Sequence, residues 1–116
     1  MARPEADRRQ PLMIKELPAD ERPREKMKER GAQALGNSEL LAILLRTGTA
    51  AESALRLAEN LLDRAGGLAG LGHATLEEVE QVRGIGEAKA VTLLAALELG
   101  RRVDSLAPLD RTAVRT

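Results

Sequence analysis

Apolar residues recur at helical spacing along most of this chain, and glycines, prolines and small polar residues interrupt them at short intervals. Glu21-Arg22-Pro23 opens the first such segment. Pro23 falls near a first helical position, where its missing N–H is no loss, and Gly31 is a natural stop after Arg30. Asn37-Ser38 then offers a cap to E-L-L-A-I-L-L, a run so apolar that it predicts a helix at the buried centre of the domain. Arg46-Thr47-Gly48-Thr49 breaks that helix. Thr49 and Glu52 have capping-box spacing for a helix running to about Arg64, with Ala54, Leu57, Ala58, Leu61 and Leu62 as its apolar stripe. After Gly66-Gly67, Leu68 to Gly72 reads as one short turn with Leu68 and Leu71 pointing inward. Thr75 and Glu78 form a second capping box for a short helix through Val82. Gly84-Ile85-Gly86 follows, and a last helix runs from about Glu87 to Arg102. The pattern predicts an all-α domain of about five helices and no strand.

The ends differ from this. Residues 1–12 are polar and aperiodic, which predicts a disordered extension, and L-M-I-K-E-L-P from Leu12 to Pro18 reads as an extended apolar piece. The folded domain is expected over residues 13–103, with residues 104–116 as a linker.

The segment around the last glycine pair carries the most chemistry. Val79 and Val82, then Gly84-Ile85-Gly86, then Ala90, then Leu93-Leu94 fill every slot of a helix-hairpin-helix pattern. The valines and leucines bury between the helices, Ala90 lets them approach, and Ile85 plugs the turn. The glycines leave the backbone bare, so a phosphate can reach the free amides of the turn and of the following helix. Arg83 and Lys89 add charge beside them. Arg83, Gly84, Ile85, Gly86 and Lys89 are therefore candidate phosphate-binding residues. The alternative is a hairpin that only joins two packed helices or contacts protein. G-I-G-E-A-K has Lys89 in the third glycine slot of a dinucleotide fingerprint, and no G-K-[ST] exists for a P-loop.

A weaker copy lies upstream. Leu41, Leu44, Gly48, Ala54, Leu57 and Ala58 echo Val79, Val82, Gly86, Ala90, Leu93 and Leu94, with two extra residues after Gly48 and Thr47 in the plug position. Two such units predict a pseudo-twofold tandem helix-hairpin-helix domain with both hairpins on one side. Arg46, Thr47, Gly48 and Thr49 are the candidate DNA contacts of this first copy.

Composition narrows the chemistry. The chain has 116 residues, 18 basic and 18 acidic, for zero formal net charge, which limits nucleic-acid contact to a local patch. The absence of Phe, Trp and Tyr removes base stacking on aromatic rings, so contact is directed to the backbone or to base edges. There is no cysteine, and His73 is the only histidine, so no thiolate or multi-histidine metal site is expected, no cofactor is implied, and a loop or cap position suits His73. The mixed charges of R-E-K-M-K-E-R fit a solvated helix face. No apolar run has membrane-spanning length and no signal-peptide core follows the start, so a cytoplasmic protein without a membrane partner is expected.

Three blocks, M-I-K-E-L-P-A-D-E-R-P-R-E-K through E-L-L-A-I-L-L-R-T-G-T, then G-G-L-A-G-L, then L-E-E-V-E-Q-V-R-G-I-G-E-A-K-A-V-T-L-L-A-A-L-E-L-G-R-R, resemble the amino-terminal domain of the RadC family of bacterial proteins. The resemblance covers Met13 to Arg102. It implies a helical domain that, in longer members, precedes a JAB/MPN-type domain with a His-x-His plus Asp metal site. No such set is present here, so no catalytic residue carries over and this chain is expected not to be an enzyme. The expected function is a module that binds the backbone of duplex or branched DNA without sequence preference, in repair or recombination. The alternative is a docking module for the JAB/MPN domain or for oligomerisation.

Overall fold

The computed structural model describes residues 19–106. The extension, the Leu12 to Pro18 piece and the tail beyond Leu106 lie outside these residues. Among the described residues there are six α-helices, two 3-10 turns and no strand, so the domain is all-α. A 3-10 turn at Ala19–Glu21 leads into α1 (Arg22–Arg30), and a second at Ala32–Ala34 leads to α2 (Asn37–Leu45). Then follow α3 (Ala54–Ala65), α4 (Gly67–Gly72), α5 (Leu76–Glu80) and α6 (Glu87–Asp104). The sixth helix is α4, which the sequence pattern reads as a bare turn.

Helix α2 packs against α3 and α6, while α5 lies on α6 and α4 on α3. Two helix–loop–helix units, α2–α3 and α5–α6, thus meet through α2 and α6. Their shared core is Leu41, Ala42, Leu45, Ala54, Leu57, Ala58, Leu61, Leu71, Val79, Val82, Ile85, Ala90 and Leu93. Each fully buried leucine contributes about 1.5–3 kcal/mol, which suffices without aromatics or disulfides. Ala54, Ala58 and Ala90 are completely enclosed, so small side chains stand where helices approach. No buried polar or charged side chain occurs among the described residues.

Several local expectations need correction. Thr49 does not cap α3: its Oγ1 accepts from the amides of Ala51 (3.2 Å) and Glu52 (3.1 Å), closing the loop on itself. The cap is Ser53, whose Oγ accepts from Arg56 N–H at 3.2 Å, and the Glu52 carboxylate takes the Asn60 amide instead. Asn37 lies inside α2 rather than capping it, and the Glu39 carboxylate accepts from Gly36 N–H at 2.9 Å. Leu71 is buried as expected, but Leu68 faces solvent, because the six residues of α4 turn only one side to the core. Helix α5 ends at Glu80, two residues before Val82.

Candidate nucleic-acid interface

The turn between α5 and α6 is built from its caps. Thr75 Oγ1 accepts from Glu78 N–H (3.1 Å), and Glu78 Oε1 accepts from Thr75 N–H (2.9 Å), so the reciprocal box read from the sequence forms. After α5 the chain folds tightly, Val82 N–H donating to Val79 C=O (3.1 Å) and Ile85 N–H to Val82 C=O (3.0 Å). This drives Ile85 into the core between two exposed glycines.

The two glycines are there for different reasons. Gly84 has φ +88°, and a Cβ on it would stand 2.7 Å from Leu57 Cδ2 and 3.2 Å from Thr49 Cγ2. Conformation and packing both demand glycine at that position. Gly86 is extended, with φ −87° and ψ −171°, and a Cβ there would meet nothing within 4 Å. The fold itself has no steric need of a glycine at 86. Its carbonyl accepts from Ala90 N–H at 3.0 Å, which starts α6. Among the described residues no acceptor faces the amides of Gly84, Gly86, Glu87, Ala88 or Lys89. Gly86, Glu87 and Ala88 are exposed, and residues 87–89 form the first turn, the positive end, of an 18-residue helix.

The upstream loop is different. Arg46 has φ 73° and ψ −56°, and Thr47 N–H donates to Leu45 C=O at 2.8 Å, a γ-turn of the rare, strained hand. Gly48 N–H donates to Asp20 Oδ2 (3.0 Å), and Ala54 N–H to Asp20 Oδ1 (2.7 Å). Thr49 N–H donates to Glu52 C=O at 2.7 Å, and Arg46 N–H to Ala42 C=O at 3.0 Å. Every amide from Arg46 to Thr49 is therefore engaged within the protein. Gly48 is required by close approach, since a Cβ would lie 2.0 Å from the Glu52 carbonyl oxygen. From this loop only side chains are offered outward.

The fold brings the two loops together. Gly84 packs on Thr49 and Leu57, and an open groove between the loops is lined by Thr49, Ala50, Ala51, Glu52, Arg83 and Gly84. A second groove joins Arg46 and Thr47 to Ala88, Lys89 and Thr92. Of the nine residues singled out from the sequence, Thr49, Arg83 and Gly84 line the first groove and Arg46, Thr47 and Lys89 the second, while Gly48 and Gly86 line neither and Ile85 is buried in the core. Arg46, Arg83 and Lys89 have no ion-pair partner among the described residues. Glu52 and Glu87 stand nearby and temper the local field. The residue that sequence reasoning missed is Asp20. Its contacts lie 28 and 34 positions downstream, beyond any local signal.

Residues 14–91 match the family described as UPF0758 N-terminal. The chain belongs to that family. It is 58% identical over 106 residues to a UPF0758 protein of Moorella thermoacetica, covering 91% of this chain and 46% of that protein. To a UPF0758 protein of Bacillus licheniformis it is 54% identical over 104 residues, covering 90% of this chain and 46% of the relative. A UPF0758 protein of Halalkalibacterium halodurans is 48% identical over 105 residues, covering 90% of the chain and 45% of that relative. The chain therefore spans a little under half the length of these curated UPF0758 relatives. No solved structure matches it. Among the described residues no group of three or more His, Cys, Asp or Glu is placed to hold a metal, and no helix is long and apolar enough to cross a membrane.

Proposed function

We propose that this domain binds the sugar-phosphate backbone of duplex or branched DNA without sequence preference, as a tandem helix-hairpin-helix module of a RadC-like protein acting in repair or recombination. The observation that carries the proposal is Gly86, a glycine that neither backbone conformation nor packing demands, at the outward N-terminus of α6. A bare backbone there lets a phosphate oxygen reach the free amides of residues 86–89, with Lys89 and Arg83 as flanking charges. The first loop contributes differently. Its amides are taken, so Arg46 and the Thr47 hydroxyl are its contacts, while Gly48 and Thr49 hold the loop's shape.

The test is fluorescence anisotropy of an externally labelled DNA duplex. Gly86→Asp is the informative variant: aspartate is a good N-cap residue and no atom obstructs it, so the fold is kept while a carboxylate takes the phosphate's place. Binding at low salt that is lost in Gly86→Asp supports the proposal. No binding by the wild-type domain, or undiminished binding by this variant, overturns it.

A further inference from the structure

Helix α6 continues well beyond the turn surface, and its outer face is apolar. Val91, Ala95, Leu99 and Val103 recur every fourth residue and are all exposed. Leu99 is 63% exposed, Val103 56% and Val91 49%, so three of the six large apolar side chains left in solvent among the described residues stand on this stripe. A single exposed leucine is ordinary, whereas an unbroken stripe along one helix is the form an interface takes.

We propose that a second copy of this chain covers the stripe, the two α6 helices packing antiparallel about a twofold axis near Gly100. Two features of the helix make it complementary to itself in that register and not merely sticky. The first is size. At 100° per residue, Ala95, Ala96, Leu99 and Val103 share the facing side, small in its first part and large in its second. Antiparallel pairing about residue 100 sets Val103 of one copy over Ala96 of the other. The two Leu99 side chains meet at the axis, and Gly100 adds no bulk beside them. The second feature is charge. Glu98 and Arg102 flank the same edge of the stripe, and this register places each Arg102 level with the Glu98 of the other copy. Within one chain Glu98 Oε1 accepts from Arg101 and Oε2 from Arg102, both at 3.1 Å, and an ionised carboxylate has acceptor sites left for a second guanidinium.

The overlapping residues 95–104 extend about 15 Å along the helix. Such a contact is smaller than the roughly 800 Å² per partner of a standard interface, so the dimer exchanges rapidly and depends on concentration. It leaves the N-terminal turn of α6 uncovered, and does not rest on the DNA reading.

Sedimentation velocity with interference optics, chosen because the chain lacks aromatic residues, tests this without any DNA present. The wild-type weight-average sedimentation coefficient rises from the monomer to the dimer value between micromolar and millimolar concentration. Leu99→Glu and Glu98→Arg each raise the dissociation constant at least tenfold, and the double variant Glu98→Arg, Arg102→Glu restores association. Circular dichroism and the thermal midpoint establish that each variant is folded. The proposal is overturned if the wild type stays monomeric throughout, if folded Leu99→Glu associates like the wild type, or if the charge exchange restores nothing.

Discussion

The carboxylate of Asp20 spans the upstream loop, accepting from Gly48 N–H at 3.0 Å through one oxygen and from Ala54 N–H at 2.7 Å through the other. An internal carboxylate thus occupies the amide of Gly48, a residue that the sequence pattern offers to an external phosphate, together with the amide of Ala54. The first loop is locked, and the second turn is left open.

Asp20→Ala removes both acceptors and leaves two partly buried amides without partners. A loss of about 1.5–3 kcal/mol in unfolding free energy is expected, read by denaturant titration followed by circular dichroism. A change below half a kilocalorie would mean that water replaces the carboxylate without cost.

Gly84 and Gly86 should separate stability from binding. Gly84→Ala forces a Cβ to 2.7 Å from Leu57 in a left-handed conformation, and is expected to destabilise by about 1–3 kcal/mol. Gly86→Asp should leave the thermal midpoint equal or higher while abolishing DNA binding. Parallel melting and anisotropy curves distinguish the two glycines.

Arg46 combines strain with charge. Arg46→Gly relieves the γ-turn and is expected to raise stability by up to about 1 kcal/mol. The same change should reduce the salt dependence of DNA affinity by about 0.9 in log–log slope for one phosphate contact. Lys89→Ala and Arg83→Ala should each lower that slope similarly. An unchanged slope in all three variants would remove these side chains from the interface.

Glu39 links stability to acid. Its carboxyl is held below the ordinary value of 4.5, chiefly by the Gly36 N–H bond and then by Lys26, whose Nζ lies 3.2 Å away, with partial burial opposing. A depressed carboxyl stabilises the folded state above the unfolded value, and that contribution is lost as pH falls through the folded one. Wild-type stability should therefore decline below about pH 4.5 more steeply than that of Glu39→Gln, measured by urea midpoints from pH 7 to pH 3.

Local rules made much of this legible. The Thr75–Glu78 box, the Ala54–Leu57–Ala58–Leu61 stripe and the buried Ile85 between two glycines each depend on neighbours within a few positions, and a linear pattern carries that information. The errors have one source. Thr49–Glu52 has the spacing of a helix cap, yet α3 starts five residues beyond Thr49, because the Thr49 hydroxyl closes its own loop and Ser53 and Asp20 supply the acceptors. Leu68 has the hydrophobicity for the core but stands on the wrong side of a six-residue helix.

Taken alone, the sequence determined the helical class, most helix limits and the places of the two glycine loops, because helix periodicity, caps and glycine turns are short-range physics. Only the tertiary structure decided that the loops lie against each other at Gly84 and Thr49, that Asp20 closes one of them, and that α6 carries an uncovered apolar stripe. Those relationships join residues remote in the chain, and only packing brings them within bonding distance.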